Sequence, residues 1–107
     1  MLQDFYKGTT KKYTSTITFD GVNPDIRTDA VWVVFKTSKS QTDADAALLV
    51  EADVTSQGDQ GKAIFNISKE ESDIPFGNYY YEVKWLVGDA LYILESSTVE
   101  VLQKVFD

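Results

Sequence analysis

The chain of 107 residues has no cysteine and no histidine. Without thiols it forms no disulfide, holds no thiolate metal centre and has no cysteine nucleophile. Without imidazole it lacks the commonest general base, the commonest transition-metal ligand and the usual switch near neutral pH. A Ser-His-Asp triad is ruled out for the same reason. Positive charge is scarce: ten Lys and Arg stand against seventeen Asp and Glu, a net charge of -7. Such a surface repels phosphate backbones, which argues against nucleic acid as a partner. Long apolar runs are missing too. The longest, residues 30–35, is far too short to span a bilayer, so no membrane partner is expected. The opening MLQDFYKGTTKK has an early acidic residue and no apolar stretch, unlike a secretory leader.

What is present is a globular composition with 43% hydrophobic and 13% aromatic residues, too apolar for a solvated tail. The length implies one domain over 1–107 with one modest core. The dominant period is two. Tyr13, Ser15, Ile17 and Phe19 alternate with Thr14, Thr16 and Thr18, which predicts a half-buried strand ending at Asp20-Gly21. AVWVVFKTS (30–38) predicts a central strand with Val31, Val33 and Phe35 inward and Trp32 partly covered. ALLVEADV aligns Leu48, Val50, Ala52 and Val54, and GKAIFNIS aligns Ala63, Phe65 and Ile67. Ser68 and Glu71 have capping-box spacing, which predicts one helical turn near 69–73, ended before Pro75. Gly77 then permits a left-handed step into NYYYEVKWLV. Gly88-Asp89 predicts a tight hairpin into ALYILESSTVEVLQ, with a bulge expected at Ser96-Ser97. With a short strand at 2–6, these segments predict an all-β, antiparallel β-sandwich of about seven strands.

The run Tyr79-Tyr80-Tyr81 divides between two faces. Tyr79, Tyr81, Val83, Trp85 and Val87 make the apolar side; Tyr80, Glu82, Lys84 and Leu86 make the other. Tyr79 or Tyr81 stands where a tyrosine corner would form, its hydroxyl returning to nearby backbone. Tyr79, Tyr81, Trp85, Pro75 and Gly77 are therefore read as core and corner residues. Trp32, Tyr80 and Tyr92 are the candidate contact residues for a ligand or partner, although isolated surface aromatics are ordinary.

Other constellations fall short. Asp43 and Asp45 offer oxygens, but calcium wants about six to eight ligands in a preorganised loop. An EF-hand counted from Asp43 would need Gly and Glu where Leu48 and Val54 stand. The cluster Glu70-Glu71-Ser72-Asp73 sits on one short turn and cannot place two carboxylates across a cleft. No glycine pattern matches a phosphate loop. Lys11-Lys12 reads as edge-strand protection. No cofactor or metal site and no enzymatic activity is expected.

Three stretches carry a family resemblance: DFYKGTTKKYTSTITFDG, AVWVVFKTSKSQTDADAALLVEADV and ISKEESDIPFGNYYYEVKWLVGDALYILESSTVEVL. Their order of strands, loops and turns resembles the immunoglobulin-like β-sandwich domains of tailed-phage and prophage structural proteins, such as the N-terminal domain of baseplate upper proteins. The resemblance covers most of the chain. It implies a non-enzymatic module of a tail, baseplate or capsid-associated assembly, located in the virion. Its partners would be other phage structural proteins, with homo-oligomers a further option. Because the sequence stops at Asp107, no receptor-binding domain is expected to follow. The alternative is a module that binds glycans or cell-surface ligands through exposed Trp32, Tyr80 or Tyr92.

Overall fold

The structure, a computed structural model, describes residues 2–103. It is an all-β fold built from two sheets. The strands are β1 (Phe5–Tyr6), β2 (Lys11–Thr16), β3 (Ala30–Lys36), β4 (Leu48–Glu51), β5 (Lys62–Ile67), β6 (Gly77–Val87) and β7 (Ala90–Leu102). One sheet has the order β1-β7-β6-β3-β4; the other is the pair β2-β5. Two short 3-10 turns, Asp43–Asp45 and Gly58–Gln60, complete the regular structure.

The period-two faces predicted from the sequence are those that pack. Val31, Val33 and Phe35 from β3 and Tyr79, Tyr81, Val83 and Trp85 from β6 are buried in one core with Ile17, just past β2, and Ala63, Phe65 and Ile67 from β5. Register explains why they meet: Val31 faces Trp85, Val33 faces Val83 and Phe35 faces Tyr81 across one ladder. The Phe35 ring lies 5.8 Å from Phe5, 6.2 Å from Tyr79 and 6.4 Å from Tyr81, in the tilted arrangements that aromatic quadrupoles favour.

The expected all-antiparallel arrangement is corrected at one margin. β1 runs parallel to β7, Phe5 beside Val101 and Tyr6 beside Leu102. Leu2 and Phe5 are both buried, which holds the chain's start against the core at the edge of the large sheet beside β7. The Asp4 carboxylate accepts the Glu100 N–H at 2.9 Å, and the Lys7 N–H reaches the Leu102 carbonyl at 2.9 Å.

The expected bulge is also displaced. Ser96 and Ser97 pair regularly with Glu82 and Tyr81, and the shift falls where Val83 faces Glu95 while Lys84 faces Ile93. Leu94 is thus the extra residue. It reverses the phase of β7, so Tyr92 faces the same side as Trp85, and Leu91 and Ile93 point to the other.

At 69–72 the chain makes a hydrogen-bonded turn rather than a defined helix. The capping box is formed in both directions: Ser68 N–H to Glu71 Oε1 and Glu71 N–H to Ser68 Oγ, each 3.0 Å. Gly77 takes φ 138, a positive angle outside the left-handed helical well, and this lets the chain leave the Pro75 corner straight into β6. Gly61, at φ 72, has no room for a Cβ, which would lie 2.9 Å from the Ile17 carbonyl oxygen.

Candidate functional site

One face of the large sheet packs on the core; the other carries the polar side chains of β3 and β6. Along that outer face the register stacks Lys36 beside Tyr80, Val34 beside Glu82 and Trp32 beside Lys84. The 3-10 turn Asp43–Asp45 folds back over β3 and delivers the Asp43 carboxylate between the lysines. Lys84 Nζ donates to Asp43 Oδ1 at 2.7 Å, and Lys36 Nζ lies 3.0 Å from the same oxygen. Lys36 Nζ also donates to Glu82 Oε1 at 3.2 Å. The Trp32 indole N–H donates to Asp43 Oδ2 at 3.0 Å. Two cations and two anions thus form a closed, electrically neutral quartet.

Both lysines are deeply covered, Lys36 with 7% and Lys84 with 12% of the side chain exposed. An ammonium so placed needs its partners, because an unpaired charge at that depth is costly. Val34, whose ladder partner is Glu82, is fully buried although no strand layer lies over it. Burial would raise the Asp43 pKa, but the donated hydrogen bonds of Lys84, Trp32 and Lys36 outweigh it and bring the group down to about 2. Asp43 is the hub of this network. Its oxygens are taken by lysine and tryptophan donors.

The candidate contact residues are not brought together. Trp32 is half-buried and committed to Asp43. Tyr80 is 37% exposed on the same face, four residues along the strand direction from Trp32's rung, with Lys39 Nζ 5.2 Å from its ring centroid. Lys36, Lys39, Tyr80, Glu82 and Ser96 line a small groove of about 160 Å³ there. Tyr92, 39% exposed, lies on the opposite face of the sheet, its ring 5.3 Å from Trp85 and 5.8 Å from Phe19. Tyr79, Tyr81 and Trp85 are nearly or wholly buried. The Tyr79 hydroxyl donates to the Pro75 carbonyl at 2.5 Å, and the Trp85 indole N–H donates to Asp29 Oδ2 at 3.0 Å.

A second polar group lies between the sheets, where two strands face five. The Glu95 carboxylate accepts from the hydroxyls of Tyr13, Ser15 and Tyr81. The Tyr81 hydroxyl also accepts the Leu2 N–H at 3.1 Å. Burial first, and the Glu95 hydrogen bond and charge second, hold the Tyr13 phenol well above its ordinary range. This seam joins β2, β6, β7 and the chain's start. Nothing in the sequence marks it, because its bonded pairs are up to 82 positions apart.

Among the described residues no group of three or more Asp and Glu side chains is arranged to hold a metal ion, and no helix is long and apolar enough to cross a membrane. No family model, no curated protein and no solved structure matches the chain.

Proposed function

We propose that the protein is a non-enzymatic structural module of a tailed-phage or prophage particle, acting through protein–protein contacts in the virion. The observation that carries the reading is how the polar and aromatic side chains are spent. Tyr79, Tyr81 and Trp85 fill the core, and the charged residues of the outer face neutralise one another. What the molecule offers to others is its outline and its strand margins.

The strand arrangement adds support. Strands two and five share one sheet, while three, six and seven share the other, the division found in immunoglobulin-type sandwiches. The corner bond from Tyr79 to Pro75 stands at the entry to the sixth strand, as it does in that architecture. The departure is that β1 and β4 both join the larger sheet. The glycan-binding alternative has less behind it, since Trp32, Tyr80 and Tyr92 form no shared platform.

The test is peptide mass spectrometry of density-purified particles from a host that makes the protein. The expected result is peptides of this chain co-purifying with the particles in constant proportion to the major tail or capsid protein. Particles free of the chain, from cells in which it is abundant, would overturn the reading.

A further inference from the structure

The margins of the two sheets are not alike. β2 carries Lys11 and Lys12, β5 carries Lys62 and bridges to Asp53 through Ile64, and β4 is four residues long and ends in Glu51. Each is blunted by charge, shortness or a neighbour, as edges of soluble sheets usually are. β7 is different. On its far side from β6 it pairs with β1 only at Val101 and Leu102, and the Asp4 carboxylate closes that pairing at Glu100. Among the described residues nothing hydrogen-bonds the outer margin of 90–99.

The start of that margin, Ala90-Leu91-Tyr92-Ile93-Leu94, has no charged residue and no proline. Val87 faces Ala90 across the two-residue loop Gly88-Asp89, so this pair exchanges its hydrogen bonds across the hairpin. Alternation along the ladder then turns the N–H and C=O of Tyr92 toward β6 and those of Leu91 and Ile93 outward. Leu91 is 53% and Ile93 56% exposed, both on the outer face beside Leu86.

We infer that this margin is a self-pairing site: β7 of one copy joins β7 of a second copy, antiparallel, about a two-fold axis at Tyr92. The segment is self-complementary in that register. Leu91 meets Ile93 of the second copy and the reverse, each pair exchanging two main-chain hydrogen bonds, and both apolar side chains extend one strip on the outer face. Charge admits a second copy more readily than a charged partner: the five paired residues carry none, and the like charges of Asp89 and Glu95 fall at the two ends of the pairing. A five-residue pairing is small beside the ~1,200 Å² of a standard stable interface, so the contact is weak in dilute solution and gains from crowding on a larger assembly. The inference stands on the strand margin alone; particles lacking the protein would remove the phage reading and leave this one intact.

The absence of native cysteine makes the test clean. Residues opposite each other at a non-hydrogen-bonded antiparallel position have Cα atoms about 4.5 Å apart, inside the disulfide range of about 4.4–6.8 Å. Tyr92→Cys is therefore expected to form a covalent dimer under mild oxidation. Adding Ile93→Pro, which removes an outward N–H and leaves the β6 ladder whole, is expected to abolish it. Equal mixing of Leu91→Cys and Ile93→Cys proteins is expected to give the mixed dimer in excess over either self-dimer. Those two positions are exposed, so this arm remains decisive if Tyr92→Cys fails to fold. Cross-linking no faster than Thr14→Cys on β2, or no preference for the mixed dimer between folded proteins, would overturn the inference.

Discussion

Asp43 shows how much one residue organises here. Its carboxylate receives two lysines and an indole N–H, and so pins a loop over the outer face of β3. Its pKa falls from an ordinary 3.8 to about 2 because those donated hydrogen bonds outweigh burial. A carboxylate depressed by folding stabilises the native state above its unfolded value and loses that contribution as pH drops through the folded value. Urea unfolding followed from about pH 6 to about pH 2 should therefore show wild-type stability falling steeply below about pH 4. Asp43→Asn should start lower, its lysines left short of an anion, and should fall less. Asp25 and Asp53, also lowered, act in both proteins alike and cancel from the comparison. Parallel pH curves for the two proteins would mean that ionisation of Asp43 is not coupled to folding.

The sequence made the core residues legible and hid the quartet, for one physical reason. Period two is a local signal, so Tyr79, Tyr81, Val83 and Trp85 declare their face within seven positions of chain. Asp43 and Lys84 lie 41 positions apart, and no pattern near either names the other.

At the scale of the element, β6 and β7 obey different tolerances. β6 is bonded on both sides, to β3 and to β7, and has no spare residue. Deleting Glu82 would put Tyr79 and Tyr81 out of phase with both neighbours, so that variant should not fold. β7 contains one residue more than its ladder needs, Leu94. Deleting Leu94 leaves Val83 facing Glu95 and Lys84 facing Ile93 as before. The variant should keep its near-UV circular dichroism and lose only the packing of one half-buried leucine, about 1–2 kcal/mol by chemical denaturation. An unfolded Leu94 deletion would show that the bulge is needed for its twist rather than merely tolerated.

The bulge also shows where sequence reading fails at this scale. Ser96 and Ser97 look like a break because the alternation of the sequence changes phase there. They are ordinary paired positions near the Glu95 seam. The actual extra residue is an aliphatic in an aliphatic run, where no change of pattern marks it. The parallel partnership of β1 with β7 was equally out of reach, since it joins residues from opposite ends of the chain.

For the whole molecule, the division of labour is between a filled interior and one bare margin. Six of the aromatic residues, Phe5, Phe35, Phe65, Tyr79, Tyr81 and Trp85, are buried and fill the interior, whereas Tyr6, Phe19, Phe76, Tyr80 and Tyr92 lie exposed. The apolar start of β7 is the longest stretch of unblunted edge among the described residues. Amide hydrogen exchange by NMR, on dilute protein, tests that division most directly. Tyr92, its N–H turned to β6, and the amides of Tyr79 and Tyr81 should exchange slowly, whereas Leu91 and Ile93 on either side of Tyr92 should exchange rapidly. Uniform protection from 91 to 93 would contradict the bare margin, and rapid exchange at Tyr79 and Tyr81 would contradict the filled interior.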